Sequence, residues 1–192
     1  MAISTIALVT VMAILGMYFI LIYNNLIRLR HNIKKAWANI DVLLKQRHDE
    51  LPKLIETCKQ FMGYERSTLE RVIQARSAVA AAQQKSNMKD LGLAETQLRQ
   101  GLGQLFALAE SYPELKASES FQHLQDRITG LEQDIADRRE FYNESVNLNN
   151  IRIEQFPDII IARIFSFRTF DMLEFANSEI ADVNVKAIFQ SL

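Results

Sequence analysis

ISTIALVTVMAILGMYFILIYNNLIRLRHNIKKAWANIDVLL, residues 3–44, decides the fold. Its first half, Ile3 to Tyr23, is 21 residues without a charged side chain. Wound as an α-helix it is about 31 Å long, the thickness of a bilayer's hydrocarbon core. A secretory signal peptide has a basic leader, a shorter apolar run and a small-residue cleavage site. Here no Lys or Arg precedes the run, and it ends in Tyr18-Phe19-Ile20-Leu21-Ile22-Tyr23. That bulky end suits an aromatic belt among headgroups better than a peptidase site. No cysteine stands near the end of the run, which excludes a lipoprotein signal. The reading is a retained transmembrane anchor over residues 1–24.

Arg28, Arg30, Lys34 and Lys35 follow the run, whereas only the chain's own amine precedes it. The positive-inside bias then puts the N-terminus outside and the body in the cytoplasm. The simpler account of these bases is a solvated helix face that seats the protein on anionic lipid.

Beyond the anchor the apolar pattern stays helical. Leu26, Leu29, Ile33, Trp37, Ile40, Leu44, Leu51, Ile55, Cys58 and Met62 recur in steps of three and four, with His48 filling the one gap. The span is expected to run straight into the soluble body, with a kink near Pro52, since a proline inside a helix removes one hydrogen bond and crowds the preceding turn. The pattern resumes after Gly63-Tyr64 and fades by about Lys85. A second helix reads from about Asn87 to Ala109, and Gly101 and Gly103 on it suit close helix approach. Ser111-Tyr112-Pro113-Glu114 marks a turn. A third helix begins near Ser118–Ser120 with the seam Phe121, Leu124, Ile128, Leu131, Ile135, Arg138, Tyr142 and Val146. Arg138 breaks that seam; it either snorkels out or pairs with a carboxylate such as Asp41 or Asp49. Phe156-Pro157 stops the third helix, and Pro157 opens a short fourth one over 158–166. The expected fold is therefore all-α: an anchor continuous with an antiparallel bundle of three long helices and a short C-terminal one, over 25–175, followed by a tail, 176–192.

The composition excludes several function classes. The 192 residues carry 22 Lys+Arg against 23 Asp+Glu, so no global basic field exists for nucleic acid. One cysteine excludes an intrachain disulfide framework, and Cys58 lies on the apolar stripe, where it reads as core. His31, His48 and His123 lack metal-ligand spacing apart from the pair Glu119–His123, and neither a phosphate-cradling Gly loop nor a nucleophile elbow is present. No catalytic residue, cofactor site or metal site is assigned. Trp37, Asp41, Pro52, Arg76, Arg138, Tyr142 and Asn143 are the candidates for fixing structure and register. An arginine paired with Asp41 is one way to do so.

The segment after Pro157 is unusually apolar. Phe165, Phe167, Phe170 and Phe175, interleaved with Arg163 and Arg168, either close the end of the bundle or form a surface for the bilayer or a neighbouring subunit.

Several short motifs stand in order along the chain: Tyr23-Asn24-Asn25-Leu26, Leu29-Arg30, Ala36-Trp37, Ile40 to Lys45, Arg47, Asp49 and Leu51-Pro52-Lys53-Leu54. Glu65 to Leu69, Ala75-Arg76, Tyr112 to Ala117, Phe121 with Leu124, Arg138-Arg139, Tyr142-Asn143 and Phe156-Pro157 continue the series. Together they resemble the LemA family from about Tyr23 to Phe175. The resemblance implies a bacterial inner-membrane protein with one span and long antiparallel helices, without an established activity. Magnetosome members of that family suggest membrane shaping, and the company that others keep with membrane metalloproteases suggests an adaptor. Two departures weaken the carry-over at the C-terminal end. Phe167-Arg168-Thr169-Phe170 stands where the family usually has a proline-bearing run, and the tail after Phe175 exceeds the usual pattern. The expected function is a non-enzymatic, self-associating scaffold that organises or shapes the membrane. Its expected partners are the lipid bilayer, further copies of itself and a possible membrane protein. The alternative is an adaptor that presents clients to envelope machinery.

Overall fold

A computed structural model describes residues 2–85 and 87–174. The helices are α1 (Ala2–Phe61), α2 (Arg66–Lys85), α3 (Met88–Ala109), α4 (Pro113–Lys116), α5 (Glu119–Glu154) and α6 (Asp158–Ile164). No strand occurs among the described residues. The all-α architecture and the unbroken run from the apolar segment into the bundle are as the periodicity predicts. The first long helical stretch is in fact two helices, separated at Met62–Glu65 around Gly63, the residue of lowest helix propensity after proline. Phe175 and the tail 176–192 lie outside the described residues.

The chain divides into two compact units, Met1–Arg47 with Gly130–Met172, and His48–Thr129 with Leu173–Leu192. In the first unit, α1 and α5 run antiparallel, since early residues of one meet late residues of the other. Ile22 and Leu26 share a core cluster with Ile153, Ile161 and Ala162. Trp37 and Tyr142 hold their ring centroids 5.8 Å apart. Arg47 and Glu132 form an ion pair of 2.7 Å. The sequence stripe is the buried face: Leu26, Ile33, Ile40 and Leu44 are buried on α1, as are Ile135, Tyr142, Val146 and Ile153 on α5. Each such side chain contributes about 1.5–3 kcal/mol of burial.

Every residue from Ala2 to Leu21 is exposed, and burial begins abruptly at Ile22. Twenty uncovered residues make a helix of about 30 Å, which matches the bilayer core. Among the described residues that length stays uncovered, as a helix facing lipid would. Its hydroxyls are satisfied internally, Thr5 donating to the Ala2 carbonyl at 2.8 Å and Thr10 to that of Ile6 at 2.9 Å. Lipid requires this internal satisfaction, since it offers no hydrogen-bonding partner.

In the second unit, α2 and α3 form an antiparallel hairpin, with Arg71 of α2 donating to Gln104 of α3 at 3.0 Å. Gly101 lies against Val72, where an added Cβ would make an ordinary contact of 3.4 Å, and Gly103 faces open space, so neither glycine is required for the helices to approach. Asn87 caps α3 by accepting from the Lys89 and Asp90 amides, both at 3.1 Å. Leu51, Leu54, Cys58, Met62, Val72, Leu91, Leu98, Leu105, Leu115, Phe121 and Ile128 are all buried.

Helix α1 runs through Pro52 unbroken. Proline has no N–H, so the carbonyl four residues earlier, that of His48, loses its helical donor. Arg76 supplies a replacement. Its Nε donates to the His48 carbonyl at 3.1 Å, and its Nη2 lies 2.7 Å from the His48 imidazole Nε2. Two of the residues singled out for structural specificity, Pro52 and Arg76, are thus linked through one backbone oxygen.

Candidate membrane-surface site

The functional candidates of the first unit gather where α1 leaves its exposed length. Beyond Ile164 the chain turns back through an unusual helix end. The Phe167 amide donates to the Ala162 carbonyl at 2.9 Å, and the Ser166 amide to that of Arg163 at 3.2 Å. This is a Schellman motif, whose pivot requires a left-handed residue. Glycine is the usual occupant; here Ser166 takes it with φ 54°.

The pivot sends Phe165 and Phe167 against the end of the anchor. The Phe165 ring lies 4.7 Å from Tyr23 and 6.0 Å from Phe19, and Phe167 lies 6.2 Å from Tyr23, centroid to centroid. Phe167 is half-buried against the Ile22–Leu26 cluster, whereas Phe165 stays 45% exposed. Ile160 and Ile164, one turn apart on α6, are exposed, as is Phe156. Helix α6 is tied down at its start, where Arg152 Nε stands 2.9 Å from Oδ2 of the buried Asp158 carboxylate.

Helix α5 then grips the segment beyond the pivot. Asn150 accepts from the Phe170 amide at 3.1 Å and donates to the Phe170 carbonyl at 2.9 Å, the paired contact that a neighbouring strand would make. Asn149, buried, donates to the Arg168 carbonyl at 3.5 Å. The Tyr142 hydroxyl donates to the Asp171 carbonyl at 3.0 Å. Burial first, and the Asp171 carboxylate second, push the Tyr142 phenol above its ordinary pKa and keep it a donor.

Other expected residues fall as follows. Arg28, Arg30, Lys34 and Lys35 are all exposed on α1. Trp37, Asp41 and Asn143 are half-buried, and both Asp41 and Asn143 are engaged by neighbours. Arg138 is exposed, so the seam passes it by; Arg139, half-buried and engaged, is the residue of that turn nearer the core. Of the two readings of Arg138, exposure fits the snorkelling one. The gap in the α1 stripe is filled by Arg47, 1% exposed, and His48 beside it is half-buried. The spacing itself, Leu44 to position 47 to Leu51 in steps of three and four, carried that signal. Composition masked it, because an arginine is ordinarily counted as polar surface. Asn149 continues the α5 seam in the same way, Val146 to position 149 to Ile153 in steps of three and four, whereas Asn150 and Ser166 gave no periodic signal, since they act on backbone.

A family model described as the LemA family matches residues 36–187. The chain belongs to the LemA family. Two magnetosome proteins of Paramagnetospirillum magneticum (strain ATCC 700264 / AMB-1), MamQ 1 and MamQ 2, are each 29% identical to this LemA-family chain over 91 residues, which is 47% of the chain. The magnetosome protein MamQ of Magnetospirillum gryphiswaldense is 28% identical over the same length. The chain covers only about a third, 34%, of the length of each of these relatives. Family and uncovered apolar helix together make this a membrane-associated helical protein.

Proposed function

We propose that this LemA-family chain is a non-enzymatic membrane scaffold. It assembles from several copies in the bacterial inner membrane and organises or shapes that membrane. One observation carries the reading: the apolar length of α1 joins its bundle at Ile22 with no linker, so the orientation of the first unit is coupled to the lipid. The bases at Arg28, Arg30, Lys34 and Lys35 favour an N-terminus outside and a cytoplasmic body. Self-contact is supported by an apolar face on α5, where Phe141, Leu148 and Ile151 are exposed, and by Val42 on α1. Anchored copies meet at the high effective concentration of a plane, so weak faces suffice for assembly. The relatives are named as magnetosome proteins, which is in keeping with such a role.

Size measurement of the full chain in mild detergent across a wide concentration range tests this proposal. Concentration-dependent oligomers are expected, and Phe141→Ser/Leu148→Ser should weaken them. A monomer at every concentration overturns self-assembly. The adaptor reading is favoured by the exposed Phe156, Ile160 and Ile164 around α6, which offer a heterologous partner an apolar surface. In-cell crosslinking that recovers one stoichiometric foreign protein through that surface would move the assignment to the adaptor.

A further inference from the structure

Arg30, Ser166, Phe167, Arg168, Thr169 and Phe170 line a recess of about 400 Å³ in the first unit. We infer that it holds the phosphodiester of an anionic phospholipid, gripped by the Arg30 and Arg168 guanidiniums and by the Ser166 and Thr169 hydroxyls. The inference rests on the membrane reading and adds a specific lipid site to it.

The chemistry of the lining selects phosphate. Neither arginine is held by a carboxylate among the described residues, so both charges are available. A guanidinium offers a planar fork of donors suited to phosphate oxygens. Phe167 and Phe170 supply apolar walls for a glycerol backbone. The segment is fixed at both ends before any ligand arrives, by the Ser166 pivot and by the paired Asn150–Phe170 bonds. A preformed site loses less entropy when it binds.

Depth selects a lipid over a dissolved ion. Arg30 lies seven residues beyond Tyr23, about 10 Å along the helix axis. The headgroup layer is roughly 5–8 Å thick, and an arginine stem can reach back into it. Phe165 and Phe167 touch Tyr23 itself, so the recess opens beside the plane where the span ends. Ile160, Ile164 and Phe165, which precede Ser166 in the chain, are exposed and suit insertion into the acyl boundary.

The test uses the full chain released from mild detergent for native mass spectrometry, with phosphatidylglycerol, phosphatidylcholine and inorganic phosphate as probes. Retention of one phosphatidylglycerol is expected, with phosphatidylcholine held less well because its choline cation faces the arginines. Each base near the surface is worth about fivefold, so Arg30→Gln/Arg168→Gln should lower retention about thirtyfold. Lys45→Gln/Lys59→Gln, with the same charge change at exposed α1 positions outside the recess and away from the basic face, should not. Arg168→Lys, which keeps the charge and loses the fork, should fall between. Equal retention by wild type and the double arginine variant overturns the site, and so does equal retention of the two lipids. Displacement of the lipid by inorganic phosphate assigns the recess to a free anion and overturns the lipid. Flotation with phosphatidylcholine vesicles separates the two readings: a wild-type chain that fails to float refutes membrane anchoring itself, whereas a floating double variant with unchanged retention refutes only the recess.

Discussion

Replacing Arg76 by methionine removes the donor that serves the His48 carbonyl, the oxygen that Pro52 leaves without its helical N–H. Two contacts go, at 3.1 Å to that oxygen and 2.7 Å to the imidazole. A hydrogen bond from a charged donor contributes about 1.5–3 kcal/mol, so removing it from this partly buried oxygen by Arg76→Met should cost about 2–3 kcal/mol. Pro52→Ala restores the N–H, and alanine is the better helix former by up to about 3 kcal/mol. Part of that gain is offset by about 0.4–1 kcal/mol of added freedom in the unfolded chain. With alanine at 52 the His48 carbonyl has its backbone donor back, and Arg76→Met should then cost about 1 kcal/mol or less. The coupling is therefore about 1–2 kcal/mol. Thermal unfolding followed by circular dichroism on wild type, both single variants and the double variant, in mild detergent, reads it out. At about 2–4 °C per kcal/mol for a chain of this size, roughly 2–8 °C of non-additivity should appear. Additivity within about 0.5 kcal/mol would show that Arg76 does not stand in for the missing amide.

Three further outcomes follow from the same geometry. Arg47→Met should cost about 3–5 kcal/mol by breaking the 2.7 Å ion pair with Glu132, and Glu132→Leu in the same chain should recover part of the loss in chemical denaturation, since a matched apolar pair replaces the ions. Ser166→Gly should raise the unfolding free energy by about 0.5–1 kcal/mol, because glycine takes a left-handed pivot without a Cβ clash; a fall in stability would contradict the turn geometry. Burial pushes the Cys58 thiol from 9.0 up to about 11. Its stabilising share is complete below about pH 9, where the unfolded thiol is still protonated, and is lost as pH rises through about 11. That share is ~2–3 kcal/mol, and a Cys58→Ala chain should lack this part of the alkaline decline in stability.

The parts of the fold that depend on spacing were legible in the sequence. Leu26, Ile33, Ile40 and Leu44 form a buried face because helical period and apolarity agree there. Asn87 and Pro157 sit at helix starts because caps and imino geometry are local properties. What spacing could not show is the partner of a polar group that turns inward. Arg47 stands on the stripe by its spacing, but Glu132, which supplies its countercharge, is 85 positions away, and nothing local names that partner. The grip of Asn149, Asn150 and Tyr142 on the returning segment is of the same kind: side chains matched to backbone that only the folded chain brings near. The aromatic stretch was read as either bundle closure or surface. Phe167 packs into a core while Phe165 keeps nearly half its area outside, so the two readings describe neighbouring side chains.

The abrupt onset of burial at Ile22 sets how this protein meets bilayers of different thickness. An isolated helix with surplus greasy length tilts. This one is pinned at its Tyr23 end by Ile153, Ile161 and the rings around Tyr23, so tilting would drag that packing along. Mismatch then falls on the surrounding lipid, at fractions of a kcal/mol for each ångström. Copies that share the same deformed annulus lower its total perimeter by clustering, so membrane thickness alone should steer them toward patches that fit.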